Sequence, residues 1–586
     1  MKDFFKFMFA SMLGTVILMI IAFLISFGIL AVIIASASSD ETVISKNTIL
    51  HLRFDKPIID RAPKMNFMMN FSGPEKMTGL DVFLENLNKA KRDENISGIY
   101  LDLTTINADI STLDEIREAL FDFKTSGKFI WAYSEYYSQT AYYLATSADR
   151  IFLNPEGGID FKGLASEMVF IKGLLEKLDI RMQIIRHGKF KAATEPLFLD
   201  KMSKENREQI TELITDIWDH MLSGISETRK ISRQEAMNIA DSLKIETAGD
   251  GLKYKLVDQL VYKDELIKEM KKKLNLDEKN KLLTVSLEKY ENVSDPKKNP
   301  AGKEKIAVIY AIGSIAGGEG DDQSIGSERI SKAIRKARED DKVKAIVFRI
   351  NSGGGSALAS DVIWREIDLA RKTKPVVASL GGVAASGGYY IACAASKIVS
   401  DPTTITGSIG VFGVVPNFEG LFSKKLGITF DWAMTNKNGD YIPVTKPLSP
   451  YQTKKIQRDV DHIYEVFTGK VAAGRNLEVA RVDSIGQGRV WSGTDAKTLG
   501  LVDEFGGLTR AIELAAELAS VKDYRIWSLP EQKEWFEELI NQITGNDPTT
   551  RLQQALGEDY RLYRYYMDIK EMKGIQARML YQIEIH

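Results

Sequence analysis

The sequence is poor in the residues on which disulfide frameworks and zinc sites depend. Its 586 residues include one cysteine and five histidines, and the histidines have no metal-ligand spacing. A single thiol excludes an intramolecular disulfide and a cysteine-based zinc site, and no metal or cofactor is predicted. Cys393 stands in an apolar helical pattern, which predicts a small buried hydrophobe. The net charge of −2 argues against a nucleic-acid partner.

Charge is missing altogether from one stretch near the N-terminus. No charged residue stands between Phe7 and Ser39, and an apolar run of this length can span a bilayer. Lys2 and Lys6 precede the run, so the positive-inside rule predicts a cytoplasmic N-terminus and an external remainder. Ala35-Ser36-Ala37 is similar to a signal-peptidase site. The run is longer than the core of a cleaved signal, however, which favours an uncleaved anchor.

The remainder of the chain repeats itself at a nearly constant offset. A shift of 247 positions pairs Tyr142-Tyr143 with Tyr389-Tyr390, and Pro155 with Pro402. Each half alternates strand and helix patterns, which is typical of an α/β fold. The polar, proline-bearing stretch Asp295–Lys303 is interpreted as a linker. We therefore predict an anchor over 1–39, a first repeat over 40–294, a linker over 295–303, a second repeat over 304–523 and a C-terminal extension over 524–586.

Two glycine-rich turns follow buried-strand patterns in the second half. Ser386 lies in the small-residue turn Gly381–Tyr389, between an apolar strand and a helix start, where the amides of Gly387 and Gly388 could face a developing negative charge. Gly353-Gly354-Gly355 follows another strand, and its amides are free for an anion. Phosphate is the competing ligand, but no Lys-Ser/Thr pair follows these glycines. Together the turns predict acyl transfer with Ser386 as nucleophile; glycines that serve packing alone are the alternative.

The first half lacks both turns. Under the same shift, Gln139 stands opposite Ser386, and Ile106-Asn107-Ala108 stands opposite the three glycines. Glycines needed only for packing would be expected in both halves. Their one-sided distribution therefore favours the functional interpretation.

A serine nucleophile needs a base, and the residue pattern offers more than one candidate. His187 and His462 are candidates in principle, although a lone histidine is more often structural. Lys191 is another, because Phe190 and two alanines flank it and burial lowers the pKa of a lysine. The pattern alone leaves this choice open.

At these residues the chain resembles the signal peptide peptidase A family, in its long, tandem-repeat, membrane-anchored form. The resemblance covers nearly all of the chain after the anchor and is carried by the motifs Gly188–Pro196, Asn351–Ser356, Ala384–Tyr389 and Thr406–Gly410. One departure is Gly353, where the family usually has proline. That departure leaves open which amide of the loop binds an oxyanion.

The resemblance implies a role for each matching residue. Ser386 is the implied nucleophile, Lys191 the implied general base, and Ser408 an implied hydrogen-bond partner of that lysine. The oxyanion donors would be the amide of Gly387 and that of Gly355 or Gly354. None of these roles follows from spacing alone.

The implied fold is a pair of tandem Clp-protease/crotonase-like spiral α/β domains behind one transmembrane helix, assembled into a bowl-shaped homo-oligomer, a tetramer. The implied activity is that of a serine endopeptidase that degrades remnant signal peptides at the periplasmic side of a bacterial inner membrane. Two alternatives remain: a crotonase-like acyl-thioester enzyme, which would not need Ser386 or Lys191, and a proteolytically silent membrane scaffold. The Met-rich stretch 65–71 is a hypothetical entry surface for apolar peptides, with an ordinary packed or disordered loop as the alternative.

Overall fold

The computed structural model describes residues 2–37, 42–63, 77–295, 302–532 and 575–579. The hypothetical entry surface, 65–71, lies outside them. Residues 7–37 of the charge-free run lie in helix α1 (Lys2–Ala37), whose segment Phe4–Ile25 has a mean hydropathy of 2.6 and is not buried by the rest of the chain. This helix is compatible with a single-pass membrane anchor.

Short strands and helices alternate along the rest of the chain. The strands are β1 (Thr48–Arg53), β2 (Ile58–Ile59), β3 (Thr78–Gly79), β4 (Ile96–Asp102), β5 (Phe129–Tyr137), β6 (Arg150–Ile159), β7 (Arg181–His187), β8 (Gln259–Leu260), β9 (Thr284–Ser286), β10 (Glu304–Ile312), β11 (Ser314–Ala316), β12 (Gly320–Asp321), β13 (Ser324–Gly326), β14 (Val343–Ser352), β15 (Gly354–Ser356), β16 (Val376–Ala385), β17 (Lys397–Ser400), β18 (Ile405–Gly407), β19 (Val411–Asn417), β20 (Val490–Ser492), β21 (Glu504–Phe505), β22 (Tyr524–Leu529) and β23 (Ile575–Arg578). The helices after α1 are α2 (Leu80–Arg92), α3 (Ile110–Lys124), α4 (Gln139–Ala145), α5 (Lys172–Lys177), α6 (Lys204–Arg229), α7 (Arg233–Asp241), α8 (Ala248–Lys253), α9 (Lys263–Lys273), α10 (Leu287–Glu291), α11 (Ser327–Glu339), α12 (Ala357–Arg371), α13 (Gly387–Ala392), α14 (Pro450–Arg475), α15 (Val479–Ile485), α16 (Gly493–Thr498) and α17 (Leu508–Ala519). A 3-10 turn covers Ala192–Leu197 and a π turn covers Leu421–Lys425.

Each half builds its own mainly parallel sheet. The first has the order β8-β6-β5-β4-β1-β9 and the second the order β20-β18-β16-β14-β10-β22, with β17 beside β16 and β21 beside β17. Strands such as β14 are buried on both faces, as apolar parallel strands covered by helices should be. The C-terminal strand β22 pairs with β10, so the second sheet continues beyond residue 523.

The duplication is visible in the placement of the helices. The first residues of α2 and α11, Leu80 and Ser327, are 247 positions apart, and so are Ile110 and Ala357, which begin α3 and α12. Each pair has the same length because the same amphipathic pattern covers the same face of each sheet. The predicted α/β fold in two tandem repeats is confirmed.

A third sheet joins the two halves. Its order is β12-β13-β11-β15-β23-β19-β7, in which β7 alone comes from the first half. Strand β7 pairs antiparallel with β19 along its whole length, from His187 opposite Val411 to Arg181 opposite Asn417. This ladder fixes the segment after β7, which carries Lys191, against the second half.

A buried ion cluster also joins the halves. Arg349 of β14 is fully buried and donates to carboxylate oxygens of Asp60 and Glu115 at 2.5 Å each, and to the hydroxyl of Ser379 at 2.9 Å. Both carboxylates belong to the first half. The sequence analysis missed this cluster, although an arginine inside the apolar run Ala345–Ile350 signals a buried charge that needs a partner.

Candidate active site

Ser386 lies at the sharp turn between β16 and α13. Its φ of 56° and ψ of −116° are uncommon for a residue other than glycine. The turn is held by its amide, which donates to the carbonyl of Gly407 at 2.9 Å, and by its carbonyl, which accepts from the amide of Tyr390 at 2.8 Å. Backbone strain that the surroundings maintain is common at functional sites.

The hydroxyl of Ser386 lies against the ammonium group of Lys191. The distance from Lys191 Nζ to Ser386 Oγ is 2.8 Å, within reach of a direct proton transfer. The two residues come from different halves of one chain. The structure therefore brings the predicted nucleophile and the predicted base together without a second subunit.

Lys191 is enclosed by apolar groups. It is 1% exposed, its flanking residues Phe190 and Ala192 are buried, and its Nζ lies 6.0 Å from the centre of the Phe412 ring. Burial lowers the pKa of Lys191 to about 7, because the charged form loses its hydration. A large fraction of this lysine is thus neutral at physiological pH and able to accept a proton.

Ser408 supplies the other polar contacts of the lysine. Its hydroxyl oxygen lies 3.0 Å and its carbonyl oxygen 3.2 Å from Lys191 Nζ. Like Ser386, it has a left-handed φ, 49°, and its amide donates to the carbonyl of Arg489 at 2.7 Å. Together with Ser386, it gives Nζ three oxygen partners, which aim the lysine at the serine hydroxyl.

The glycine loop closes over the same place. Gly354 has a φ of 96°, and a Cβ there would stand 2.6 Å from the amide nitrogen of Gly387. The amide of Gly354 donates to the hydroxyl of Ser352 at 3.1 Å. Because the amide of Gly354 already has an acceptor, Gly355 and Gly387 remain the candidate oxyanion donors.

The corresponding place in the first half is filled with packed side chains. The amide oxygen of Gln139, opposite Ser386 in the repeat, accepts from the backbone of Lys162 and Gly163 at 3.0 Å each. Phe161, opposite Ser408, is buried and packs edge-on against the Tyr142 ring at 6.0 Å. The first copy thus keeps the turn as a structural joint without a reactive group.

The histidine candidates have other surroundings. His187 shares a hydrogen bond of 2.8 Å with Asp461 and stacks on Tyr464 at 4.0 Å between ring centres. His462 is exposed, whereas Ser386 is fully buried. The geometry favours Lys191 over both histidines as the partner of the serine.

Two residues that the sequence analysis missed hold the lysine loop in place. Gln209 of α6 donates to the carbonyl of Phe190 at 3.2 Å and accepts from the amide of Val490 at 3.1 Å, so it joins both halves beside Lys191. Gly488 lies against the lysine itself, and a Cβ there would stand 2.6 Å from Lys191 Cβ. A polar helix residue and a loop glycine carry no local signal of such contacts.

We expect Gly488→Ala to lower kcat about 100-fold, since a misplacement near 1 Å has an effect of that order. The added methyl group must displace Lys191 from Ser386, because the contact is with the backbone and Cβ of the lysine. Steady-state kinetics on a peptide ester will measure the effect. Gly500→Ala is the matched control: Gly500 has the same left-handed φ, 80° against 81°, but its nearest neighbour is a leucine methyl group at 3.7 Å. Equal losses in both variants would show that backbone strain, not displacement of the lysine, is responsible.

The chain is similar to known proteins over most of its length. The profile of peptidase family S49 matches residues 122–277 and 368–522, one match in each half. Protease 4 of Salmonella typhi is 39% identical over 471 residues, which are 78% of this chain and 75% of that protein. The chloroplastic serine protease SPPA of Arabidopsis thaliana is 34% identical over 506 residues, 84% of this chain and 73% of that protein. Among solved structures, ClpP1 from Listeria monocytogenes is 17% identical, covers 34% of this chain and 91% of its own, and has a TM-score of 0.23, too low to bear on function or assembly.

Proposed function

Because this chain belongs to peptidase family S49, we propose that Ser386 and Lys191 form the Ser–Lys dyad with which it hydrolyses peptide bonds. That the chain is a serine protease follows from its family and from its relatives. One observation carries the assignment of the dyad: a buried lysine whose pKa is about 7 lies 2.8 Å from the hydroxyl of a serine on a strained turn.

The mechanism follows from the positions of these groups. Neutral Lys191 takes the proton of Ser386 Oγ as that oxygen attacks the peptide carbonyl carbon. The amides of Gly387 and Gly355 stabilise the resulting oxyanion. Protonated Lys191 then gives its proton to the leaving amine, and the acyl-enzyme forms. A water molecule gives a proton to the now neutral lysine as it attacks the acyl carbon. The lysine then returns that proton to Ser386 Oγ as the acyl–oxygen bond breaks and the acid product leaves.

The pH profile tests the base. Lys191 must be neutral in the free enzyme, and its pKa is about 7, so kcat/KM should rise about tenfold per pH unit below that value and level off above it. Initial rates on a substrate without titratable groups, from pH 5 to 9, will show the midpoint. A profile that is flat through this range would exclude a lysine of this pKa as the base.

The proposed substrates are remnant signal peptides. Helix α1 would anchor the enzyme to the membrane in which such apolar peptides are left, and this confines enzyme and substrate to the same surface. Lys2 and Lys6 precede the charge-free run that begins at Phe7, and by the positive-inside rule we infer that the catalytic part lies outside the cytoplasm. In a bacterium that side of the inner membrane is the periplasm.

This preference can be measured with the full-length chain in lipid vesicles. A synthetic signal peptide should be cleaved with a kcat/KM at least about tenfold above that of a polar peptide of equal length. The same pair of peptides, offered to the enzyme in detergent without vesicles, is the control for the contribution of the membrane. Equal rates on both peptides in vesicles would contradict the proposed substrate class.

The assembly implied by the family resemblance stays a prediction. A homo-oligomer would place several dyads around one enclosed space and would restrict access to extended peptides. Analytical ultracentrifugation of the chain in detergent gives the subunit number directly. A monomer that cleaves peptides would show that the dyad works without assembly.

A further inference from the structure

The C-terminal strand β23 lies beside the dyad. It pairs antiparallel with β15, where Gly354, Gly355 and Ser356 stand opposite Arg578, Ala577 and Gln576. Its other edge pairs antiparallel with β19, where Phe412 stands opposite Gln576. The amide of Met579 also donates to the carbonyl of Gly353 at 2.7 Å. A four-residue extended segment thus fills the gap between the glycine loop and the strand that follows Ser408.

The backbone of this strand reaches the proposed oxyanion site. The carbonyl oxygen of Ala577 would stand 2.1 Å from a Cβ on Gly354 and 2.9 Å from a Cβ on Gly387. The side chain of Ala577 is fully buried in a cluster that includes Ile185, Val411 and Tyr464. The segment therefore packs a carbonyl against the backbone of both glycines and places a small apolar side chain in a closed pocket, as a bound peptide would.

We propose that residues Ile575–Arg578 are a resident occupant of the peptide groove and compete with substrates for it. The proposal rests on the proposed function of Ser386 and Lys191. A substrate enters as a strand between β15 and β19 after β23 has left, because both edges that would bind it are already paired. Substrates with a small apolar residue at the position of Ala577 fit the same pocket, and larger residues there do not.

A reversible cross-link between Ser356→Cys and Gln576→Cys tests the proposal in the full chain. These positions stand directly opposite each other, and such pairs have Cβ atoms about 4.5–5.5 Å apart, close enough for a disulfide after a small adjustment. The single variant Ser356→Cys is the control. It shows any disulfide formed with the natural Cys393, which is buried, and any effect of losing the N-cap that the Ser356 hydroxyl gives to α12. We expect the disulfide to form under mild oxidation. The oxidised enzyme should react with a fluorophosphonate probe at least about tenfold more slowly than the reduced enzyme.

Two results would overturn the proposal. Failure of the disulfide to form would show that β23 is not in the groove in solution. Equal labelling of oxidised and reduced enzyme would show that the strand is a permanent wall of the site and does not compete.

A binding measurement on an inactive variant separates this proposal from the proposed function. The variant is Ser356→Cys/Gln576→Cys/Ser386→Ala, and its ligand is a fluorescent peptide with the sequence of residues 574–579. Fluorescence anisotropy should show that the peptide binds the reduced variant, and that it binds the oxidised variant at least about tenfold more weakly. A peptide with tryptophan at the position of Ala577 should not bind. These readouts need no catalysis. Weaker peptide binding after oxidation, combined with no probe labelling in the chain that keeps Ser386, would support β23 as the occupant and refute Ser386 as the nucleophile. Equal peptide binding before and after oxidation would refute β23 as the occupant.

Discussion

Replacing Ser386 with alanine or Lys191 with methionine is expected to lower kcat/KM for a peptide substrate by a factor on the order of 10⁴ to 10⁶, the scale on which a nucleophile or its base contributes. The double variant should lose no more than either single variant, because the two groups act in one step. Lys191→Arg should be as inactive, since a guanidinium stays protonated at any working pH. Active-site titration alongside steady-state kinetics will exclude traces of wild-type enzyme.

The chain offers a matched control two residues from the base. Lys189 carries the same side chain but is exposed, and Lys189→Met should retain activity within about a factor of two. Wild-type-like turnover in Lys191→Met would refute the dyad. A loss shared by Lys189→Met would point to a general disturbance of the loop.

The same substitution should not weaken the fold. The pKa of Lys191 falls from 10.5 to about 7 on folding, so between these values the unfolded chain binds more protons than the folded one, and stability rises with pH. Methionine removes this penalty. Lys191→Met should therefore melt above the wild type at pH 7, and the difference should shrink as the pH approaches 10.5.

The second large effect is expected at the ion cluster between the halves. Arg349→Met leaves the buried carboxylates of Asp60 and Glu115 without their cation, and removing one partner of a buried pair costs about 3–5 kcal/mol. Both carboxylate side chains are at most 2% exposed, so water cannot replace the arginine. We expect a clear fall in the thermal midpoint together with loss of activity, because the interface that carries the proposed dyad loosens.

Controls distinguish this effect from the loss of any ion pair. Arg233 pairs with Asp219 on the surface and is 52% exposed; Arg233→Met should change stability by less than about 1 kcal/mol. Adding Asp60→Asn and Glu115→Gln to Arg349→Met should recover part of the stability, since no unpaired charge then remains buried. Equal midpoints for Arg349→Met and Arg233→Met would contradict the role of the cluster.

Local sequence patterns predicted most of the fold. The constant shift between the halves predicted two repeats of one α/β pattern, and α2 and α3 recur at that shift as α11 and α12 because these helices depend on amphipathic spacing within a dozen residues. The one-sided glycines drew attention to the turn of Ser386 for a physical reason: on the proposed mechanism, only one copy needs a backbone that approaches a reacting atom. Lys191, however, entered as the base through family resemblance, since its burial depends on Phe412 and Gly488, far along the chain.

The missed features all depend on long-range pairing. Strand β7 joins β19 across more than two hundred residues, and β23 joins β15 at a similar separation. Short strands of ordinary composition do not specify such partners. The C-terminal extension was therefore predicted only by its bounds, 524–586, and the position of β23 beside Ser386 and Lys191 was not anticipated.

The ladder between β7 and β19 also determines when a newly made molecule can first cut a peptide. Synthesis runs from the N-terminus, so Lys191 emerges well before Ser386, and before Phe412 and Gly488 that enclose it. Until then the lysine is solvated, with a pKa near 10.4, and protonated. On the proposed mechanism, an unfinished chain is therefore inert without any pro-segment, and latency during biogenesis results from the order of the two repeats along the gene product.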